Sequence, residues 1–469
     1  MPLARLEALL APDRAERLRR YAVHAQQILG RRVVWNINAT AQGGGVAEML
    51  EALIAYARGA RVDTRWLTLS ADHDFFTITK RVHNLLHGSP GDGGELGDAQ
   101  RAQYDEVLAA NLAQLRTLVR PGDIVLLHDP QTAGLVRGVR DLGAYAIWRC
   151  HIGRDTPNAF TDQGWGFLRD LIEPADAFIF SRGEYPPGWL PRDRVWIIPP
   201  SLDPFTAKNA PMRPGDVAAT LRAAGLVETQ PADGSVRFNR RDGSPGLVRG
   251  HREHRGLLRD GGTIPGTAQL VLQVSRWDHL KDMRGVLIGF VKRLPELPQN
   301  THLMLAGPDV DGVTDDPEGA QVLSECLAAW SDLPEPARER VHLACLPMDD
   351  LDENAHLVNA LQRHAAVVVQ KSLVEGFGLT VTEPMWKARP VVASAVGGIQ
   401  DQIEDGVSGV LLPDPYDYDA FGERVSRLLH DQEWSARLGA AAHARVQDRF
   451  LGDRHLIQYV DLCESLLSS

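Results

Sequence analysis

Arg32-Val33-Val34-Trp35-Asn36-Ile37-Asn38 leads, after three residues, into Gln42-Gly43-Gly44-Gly45 and then into a helical pattern over residues 46–57. A short apolar strand, a glycine turn and a helix, in that order, open a doubly wound α/β domain. The same pattern recurs downstream. Asp123-Ile124-Val125-Leu126-Leu127-His128, then Ala144-Tyr145-Ala146-Ile147-Trp148-Arg149-Cys150-His151, are continuous apolar runs. Ala177-Phe178-Ile179-Phe180-Ser181 and Val195-Trp196-Ile197-Ile198 follow them. Such runs are expected of parallel strands covered on both faces. Upstream, residues 3–29 have the spacing of an amphipathic, arginine-rich helix.

Pro199-Pro200-Ser201-Leu202-Asp203-Pro204 stops this half. Residues 206–266 are polar and rich in Gly and Arg. They predict a loop with one small hairpin over 235–243. A second α/β pattern then begins with Leu270-Val271-Leu272-Gln273-Val274. It continues through His302-Leu303-Met304-Leu305-Ala306, Val341-His342-Leu343, Ala366-Val367-Val368-Val369-Gln370 and Pro390-Val391-Val392-Ala393. The predicted class is α/β, with two Rossmann-like doubly wound parallel-sheet domains facing a central cleft. The expected division is an N-terminal domain over 1–200, a linker and polar insertion over 201–267, and a second domain over 268–430. Helices over 431–469 are expected to pack back toward the N-terminal domain.

The 469 residues suit two or three domains at about 150 residues each. A net charge of −11 disfavours non-specific binding to nucleic acid or to an anionic membrane. The four cysteines form no Cys-x-x-Cys pair, so neither a zinc nor a redox motif is suggested. Arg14, Arg17, Arg19 and Arg20 break any apolar leader, and no run approaches the roughly 20 apolar residues that span a bilayer. A cytoplasmic protein is expected.

Glu375-Gly376-Phe377-Gly378-Leu379-Thr380-Val381-Thr382-Glu383 follows a strand and opens a helix. Backbone N–H groups at such a start, with the helix dipole, suit sugar hydroxyls or a diphosphate. The two carboxylates suit vicinal hydroxyls; the same pattern also suits plain helix capping. Arg276 and Lys281, just past a strand end, are two cations fit for a leaving diphosphate, or for pairing with Asp278 and Asp282. The triple glycine over 43–45 has neither dinucleotide-fingerprint nor P-loop spacing. His128, Asp129 and His151 close two N-terminal strands. The histidines show no metal-ligand spacing, and Asp309-Val310-Asp311 is an ordinary acidic loop, so no metal site is expected.

Together these stretches resemble the retaining nucleotide-sugar glycosyltransferases of the GT-B fold, family 4, and within it the trehalose glycosyltransferring synthases; trehalose phosphorylases are similar too. The likeness rests on 38–48, Phe75-Phe76-Thr77-Ile78-Thr79-Lys80, His128-Asp129-Pro130-Gln131, Trp148-Arg149-Cys150-His151-Ile152, Asp315-Asp316-Pro317-Glu318-Gly319 and 375–387. The polar stretch over 227–262 departs from it. The resemblance implies that Arg276 and Lys281 bind diphosphate, that Glu383 accepts from ribose hydroxyls, and that Glu375 contacts the donor glucose. It implies donor contacts from Gly376, Phe377, Gly378 and Leu379, and a loop closing over the phosphates at Gly44 and Gly45. His151 is implied near the reacting sugar carbon, and Glu48, Lys80, Asp129 and Gln131 at the acceptor.

The function so implied is reversible transfer of glucose from ADP- or UDP-glucose to glucose, forming α,α-trehalose with retention. No cofactor is required, and metal at most stimulates weakly. The partners are the nucleotide sugar and glucose, not nucleic acid or membrane, with a homodimer left open. Phosphorolysis of trehalose and non-catalytic sugar binding are the alternatives.

Overall fold

The computed structural model describes residues 3–41, 44–228, 236–250, 258, 262–310 and 318–468. The chain divides into two compact units. The first is Met1–Leu202 with Glu375–Phe377 and Arg449–Ser469; the second is Asp203–Val374 with Gly378–Asp448.

The first unit is built on a parallel sheet of six strands: β1 (Val34–Asn38), β2 (Thr64–Thr68), β3 (Ile124–His128), β4 (Tyr145–Cys150), β5 (Ala177–Phe180) and β6 (Val195–Ile197). Their spatial order is β2-β1-β3-β4-β5-β6. Every residue of β3 and β5 is buried, as double coverage demands. One apolar cluster runs from Trp35 and Phe75 through Trp148 to Phe178; a second joins Leu126, Ile147 and Ile179 to the helices Pro12–Leu29 and Gly452–Ser468. The two helices are also clamped by Arg14, which donates to both carboxylate oxygens of Asp453 at 2.8–3.0 Å.

The second unit repeats the scheme with β7 (Gln269–Val274), β8 (Thr301–Pro308), β9 (Val341–Leu346), β10 (Val367–Gln370), β11 (Val391–Ser394) and β12 (Val410–Leu412), all parallel, in the order β9-β8-β7-β10-β11-β12. In each sheet the winding direction reverses once, between β1 and β3 and between β7 and β10. Crevices outside the carboxyl ends of strands at such switch points are where open α/β sheets take ligands. Both glycine-bearing turns singled out in the sequence leave strands that flank these points.

The described part of residues 206–266 holds more regular structure than its composition suggests. Pro214–Ala223 is a helix with proline at its start, packed on the helix Leu351–His364. Only Val217, Thr220 and Leu221 of it are buried, too narrow a stripe to register as periodicity. The expected hairpin is shifted: Arg237–Asn239 pairs antiparallel with Pro245–Leu247, so the second strand lies beyond residue 243. Its Phe238 is buried and stacks on His356, ring centroids 4.9 Å apart, and ion pairs add to that anchor. Arg240, Arg241 and Arg249 reach Asp350, Asp352 and Glu353 at 2.5, 2.8 and 2.6 Å, at the start of the helix Leu351–His364. The helix Gln432–Arg449 lies, but for its last residue, in the second unit, whereas Gly452–Ser468 lies in the first. Among the described residues no helix is long and apolar enough to cross a membrane.

Candidate functional site

At the carboxyl edge of the first sheet, His151 follows β4 and meets His128, the last residue of β3, edge to edge. Their ring planes lie within 8°, and His128 Nδ1 is 3.1 Å from His151 Nε2. His128 Nε2 lies 3.3 Å from Asn36 Oδ1 on β1. Asp129 has left-handed backbone, φ 64°, at the turn after β3. That bend aims its carboxylate at the backbone N–H of His151, which donates to Oδ1 at 2.7 Å. Gly376 sits against the same residue: a Cβ built on it would lie 2.7 Å from the His151 carbonyl oxygen. Tyr185 Oη donates to the carbonyls of both Glu375 (3.0 Å) and Gly376 (2.5 Å). Thus the first unit brings His151, Asp129, Glu375 and Gly376 together.

Arg149, fully buried on β4, sets the electrostatics. It donates to Tyr459, to His455 Nε2 (3.2 Å) and to the Ile198 carbonyl (3.1 Å), all neutral groups. Burial lowers the pKa of His128 to about 3, and the Arg149 charge adds to that. Burial, then Arg149, holds His151 and His455 well below the ordinary imidazole value. Burial pushes Asp129 up to about 7 against the opposing pull of the His151 N–H and Arg149. The pH consequence has a definite sign. For each histidine the unfolded state binds more protons between the folded value and about 6.5, so stability falls as pH drops through that window, by up to about 1.4 kcal/mol per unit. Asp129 works oppositely, favouring the folded state at low pH and losing that contribution as pH rises toward 7, which offsets one histidine. The unfolding midpoint should therefore drop steadily from pH 6.5 to 4.5, and less steeply in His128→Gln. A midpoint flat over that range would contradict neutral burial of these rings.

In the second unit the turn after β7 carries Arg276, 44% exposed along its side chain, with Nη2 3.5 Å from Asp278. Asp278 Oδ1 caps the short turn His279–Lys281 by accepting from Leu280 N–H at 2.7 Å. The buried Gln273 of β7 donates to the Lys281 carbonyl at 2.8 Å, and its Oε1 accepts from Lys371 N–H after β10 at 3.1 Å. Leu373 N–H donates to the Leu280 carbonyl at 2.7 Å. The Lys281 turn is therefore fixed to the segment running into Glu375. Asp282, φ 47°, caps the helix Met283–Arg293 and pairs with buried Lys371, which also lies 4.6 Å over the Tyr418 ring. Burial pushes Asp282 up and Lys371 down, each against its partner's charge.

Gly378, φ 85°, starts the helix Leu379–Trp386. Glu383 on this helix is 5% exposed; Gln362 donates to its Oε2 at 3.1 Å, and Lys208 Nζ lies 3.5 Å from Oε1. Lys387 Nζ donates to Gln362, Asn209 and the Glu383 carbonyl at 2.6, 2.9 and 3.3 Å, and burial lowers its pKa to about 7. Glu383 is thus held in one rotamer with lone pairs left for further hydroxyl donors.

Phe377 is buried, its ring 5.9 Å from Phe450; Leu379 is half-buried. Gly44 and Gly45 open the helix Gly44–Gly59, and Glu48 is exposed on it. Gln42 and Gly43 lie outside the described residues, as do Asp311 and the start of 315–319. Lys80 is half-buried on the helix His73–Leu86, and Gln131 on the short helix Asp129–Thr132. Neither is hydrogen-bonded to His151. Sequence reasoning placed His128 at a strand end and missed the roles of Asn36, Arg149, Tyr185, Lys208, Gln362 and Lys387. The available signal was a polar residue inside an otherwise apolar strand, as at Asn36 and Arg149.

Residues 36–187 match the family model described as trehalose synthase, N-terminal domain, and residues 351–445 that of glycosyl transferases group 1. A trehalose synthase of Rubrobacter xylanophilus is 33% identical over 450 residues, spanning 94% of this chain and 92% of the relative. One from Pyrococcus horikoshii is 32% identical over 442 residues, with the same 94% and 92% coverage. Among solved structures, a UDP-forming α,α-trehalose-phosphate synthase of Burkholderia xenovorans in complex with glucose-6-phosphate superposes with a TM-score of 0.67 at 13% identity, covering 93% of this chain and 99% of that one. That likeness bears on the fold, which is GT-B.

Proposed function

The chain belongs to the trehalose synthase family of glycosyltransferases, and from that premise we propose that it transfers glucose from a nucleotide diphosphate glucose to the anomeric hydroxyl of free glucose, giving α,α-trehalose with retention. The observation that carries the donor assignment is the Arg276–Lys281 turn at a switch point, bonded through Leu280 to the strand-end segment before Glu375. Two cations there match the charge that grows on a departing diphosphate. The Glu383 carboxylate, oriented by Gln362 and Lys208, suits a ribose diol, a contact with no use in phosphorolysis.

In the reaction the acceptor oxygen approaches the glucose anomeric carbon on the face the diphosphate leaves. The carbon–oxygen bond to phosphate breaks with its electron pair going to the phosphate oxygen. That oxygen takes the acceptor's proton as the new glycosidic bond forms, leaving trehalose and a nucleoside diphosphate. The protein supplies positioning and charge rather than a covalent nucleophile. Arg276 and Lys281 provide the positive charge, so no cofactor is required for this scheme.

The test is product analysis. Incubation with UDP-, ADP- or GDP-glucose plus glucose should yield trehalose and the matching nucleoside diphosphate. Glucose 1-phosphate formed from trehalose and inorganic phosphate, with no transfer from any nucleotide-glucose, would overturn the reading in favour of phosphorolysis.

A further inference from the structure

Four polar side chains form a staircase across one face of the first sheet. Thr64 on β2 is paired in register with Val34 on β1, and Asn36 lies two residues further along β1. Asn36 follows the register of Leu126 on β3, and His128 lies two residues further. His128 is paired with Arg149 on β4, and His151 lies two residues beyond that. Each step moves one strand across and one pleat toward the carboxyl edge, the diagonal spacing at which neighbouring strands bring side chains within reach. The contacts follow the steps: Asn36 Nδ2 to Thr64 Oγ1 at 3.5 Å, His128 Nε2 to Asn36 Oδ1 at 3.3 Å, and His151 Nε2 to His128 Nδ1 at 3.1 Å.

A chain of this kind has one direction, and its far end sets it. The Thr64 hydroxyl lies 3.1 Å from the Val34 carbonyl, which can only accept. The single hydroxyl hydrogen therefore goes to Val34, and the Thr64 oxygen is left to accept from the Asn36 amide. Asn36 then turns its carbonyl to His128, which must carry hydrogen on Nε2. A neutral His128 leaves Nδ1 as an acceptor, so the shared hydrogen between the rings belongs to His151 Nε2. His151 Nδ1 is the bare nitrogen. It has no hydrogen-bond partner among the described residues, and His151 is only half-buried.

The surroundings reinforce this order. Asn36 and Thr64 are each 3% exposed, and they line a cavity of about 720 Å³, open mouth included, whose other walls are mostly apolar, among them Leu18, Leu29, Leu53 and Leu126. For groups so buried a mis-turned amide is costly. Burial, and after it the Arg149 charge, keeps both rings neutral, which the relay requires.

We propose that Thr64 and Asn36 are positioning residues that hold His151 as its Nε2–H tautomer, so that its bare Nδ1 accepts a hydrogen bond from a sugar hydroxyl. The identity of the hydroxyl rests on the glucosyl-transfer reading; the tautomer does not. A ring nitrogen with a lone pair welcomes an uncharged sugar and repels an anionic substituent, because the ring does not take up a proton to meet it.

The experiment is nitrogen-15 NMR of the full chain labelled in its histidine rings, without substrate, with the two signals assigned through His128→Gln and His151→Gln. The expected result is hydrogen on Nε2 of both rings and an unprotonated His151 Nδ1. Hydrogen on His151 Nδ1, the reverse direction of the chain, overturns the proposal whatever the enzyme transfers. Kinetics give a second test that needs no assignment. Thr64→Ser keeps the hydroxyl and should hold kcat within about twofold of the parent. Thr64→Val, of equal size without it, should lower kcat roughly tenfold with donor KM little changed, as a mixture of tautomers replaces one. Equal kcat in the two variants also overturns the assignment.

Discussion

Gly376→Ala should lose at least about a hundredfold in kcat/KM for glucosyl transfer while the protein stays folded, because a displacement near 1 Å at a reacting centre costs that much. The added Cβ would lie 2.7 Å from the His151 carbonyl oxygen, closer than a real Cβ tolerates. The obstacle is backbone, so no side-chain rotation relieves it. His151 is itself tied down, with its N–H on Asp129 and its ring on His128. Relief must come from moving residues 375–377, yet Tyr185 holds the carbonyls of Glu375 and Gly376 together. Either the Glu375 carboxylate or the His151 ring then leaves its place. Steady-state rates with nucleotide-glucose and glucose, beside a thermal melt of the same sample, read this out. Parental kcat in a folded Gly376→Ala would show that the close approach of Gly376 to His151 has no part in catalysis.

The double variant Arg276→Ala/Lys281→Ala should lower kcat by about 10²–10³, and each single change by roughly tenfold or more, the range seen when developing negative charge loses its stabilising donors. Arg276 is exposed along 44% of its side chain, and its contact to Asp278 is long at 3.5 Å. The Lys281 turn is held by backbone hydrogen bonds and by Gln273. A thermal melt of the double variant, read beside its rates, separates lost charge from lost fold. Arg276→Lys should recover part of the rate, since it restores the charge but not the two-pronged geometry. Rates near the parent's in the double variant would remove the diphosphate assignment, and with it the reason for preferring a nucleotide donor over phosphate.

The two α/β units were legible in the chain because parallel strands covered on both faces must be continuous apolar runs, and because the residue after such a run lies at the sheet's carboxyl edge. That alone placed Arg276 after β7, Asp129 after β3, His151 after β4, and residues 375–383 after β10. The helix Pro214–Ala223 was not legible, since only a three-residue stripe of it is buried, and the hairpin was legible but not its register, which is fixed in part by carboxylates about a hundred residues away. Nor could periodicity reveal that Glu375, Gly376 and Phe377 take their contacts from the first unit while Gly378 onward take theirs from the second. The family likeness pointed to His151, but nothing in the order of residues tells which nitrogen of that ring is bare. Strand register decides it, by setting Thr64, Asn36, His128 and His151 one pleat apart on four neighbouring strands. Local sequence determines which residues reach a strand end; only packing of distant strands determines which polar atoms meet there, because a hydrogen bond depends on separations of a few tenths of an ångström between groups that lie about 20 to 90 residues apart.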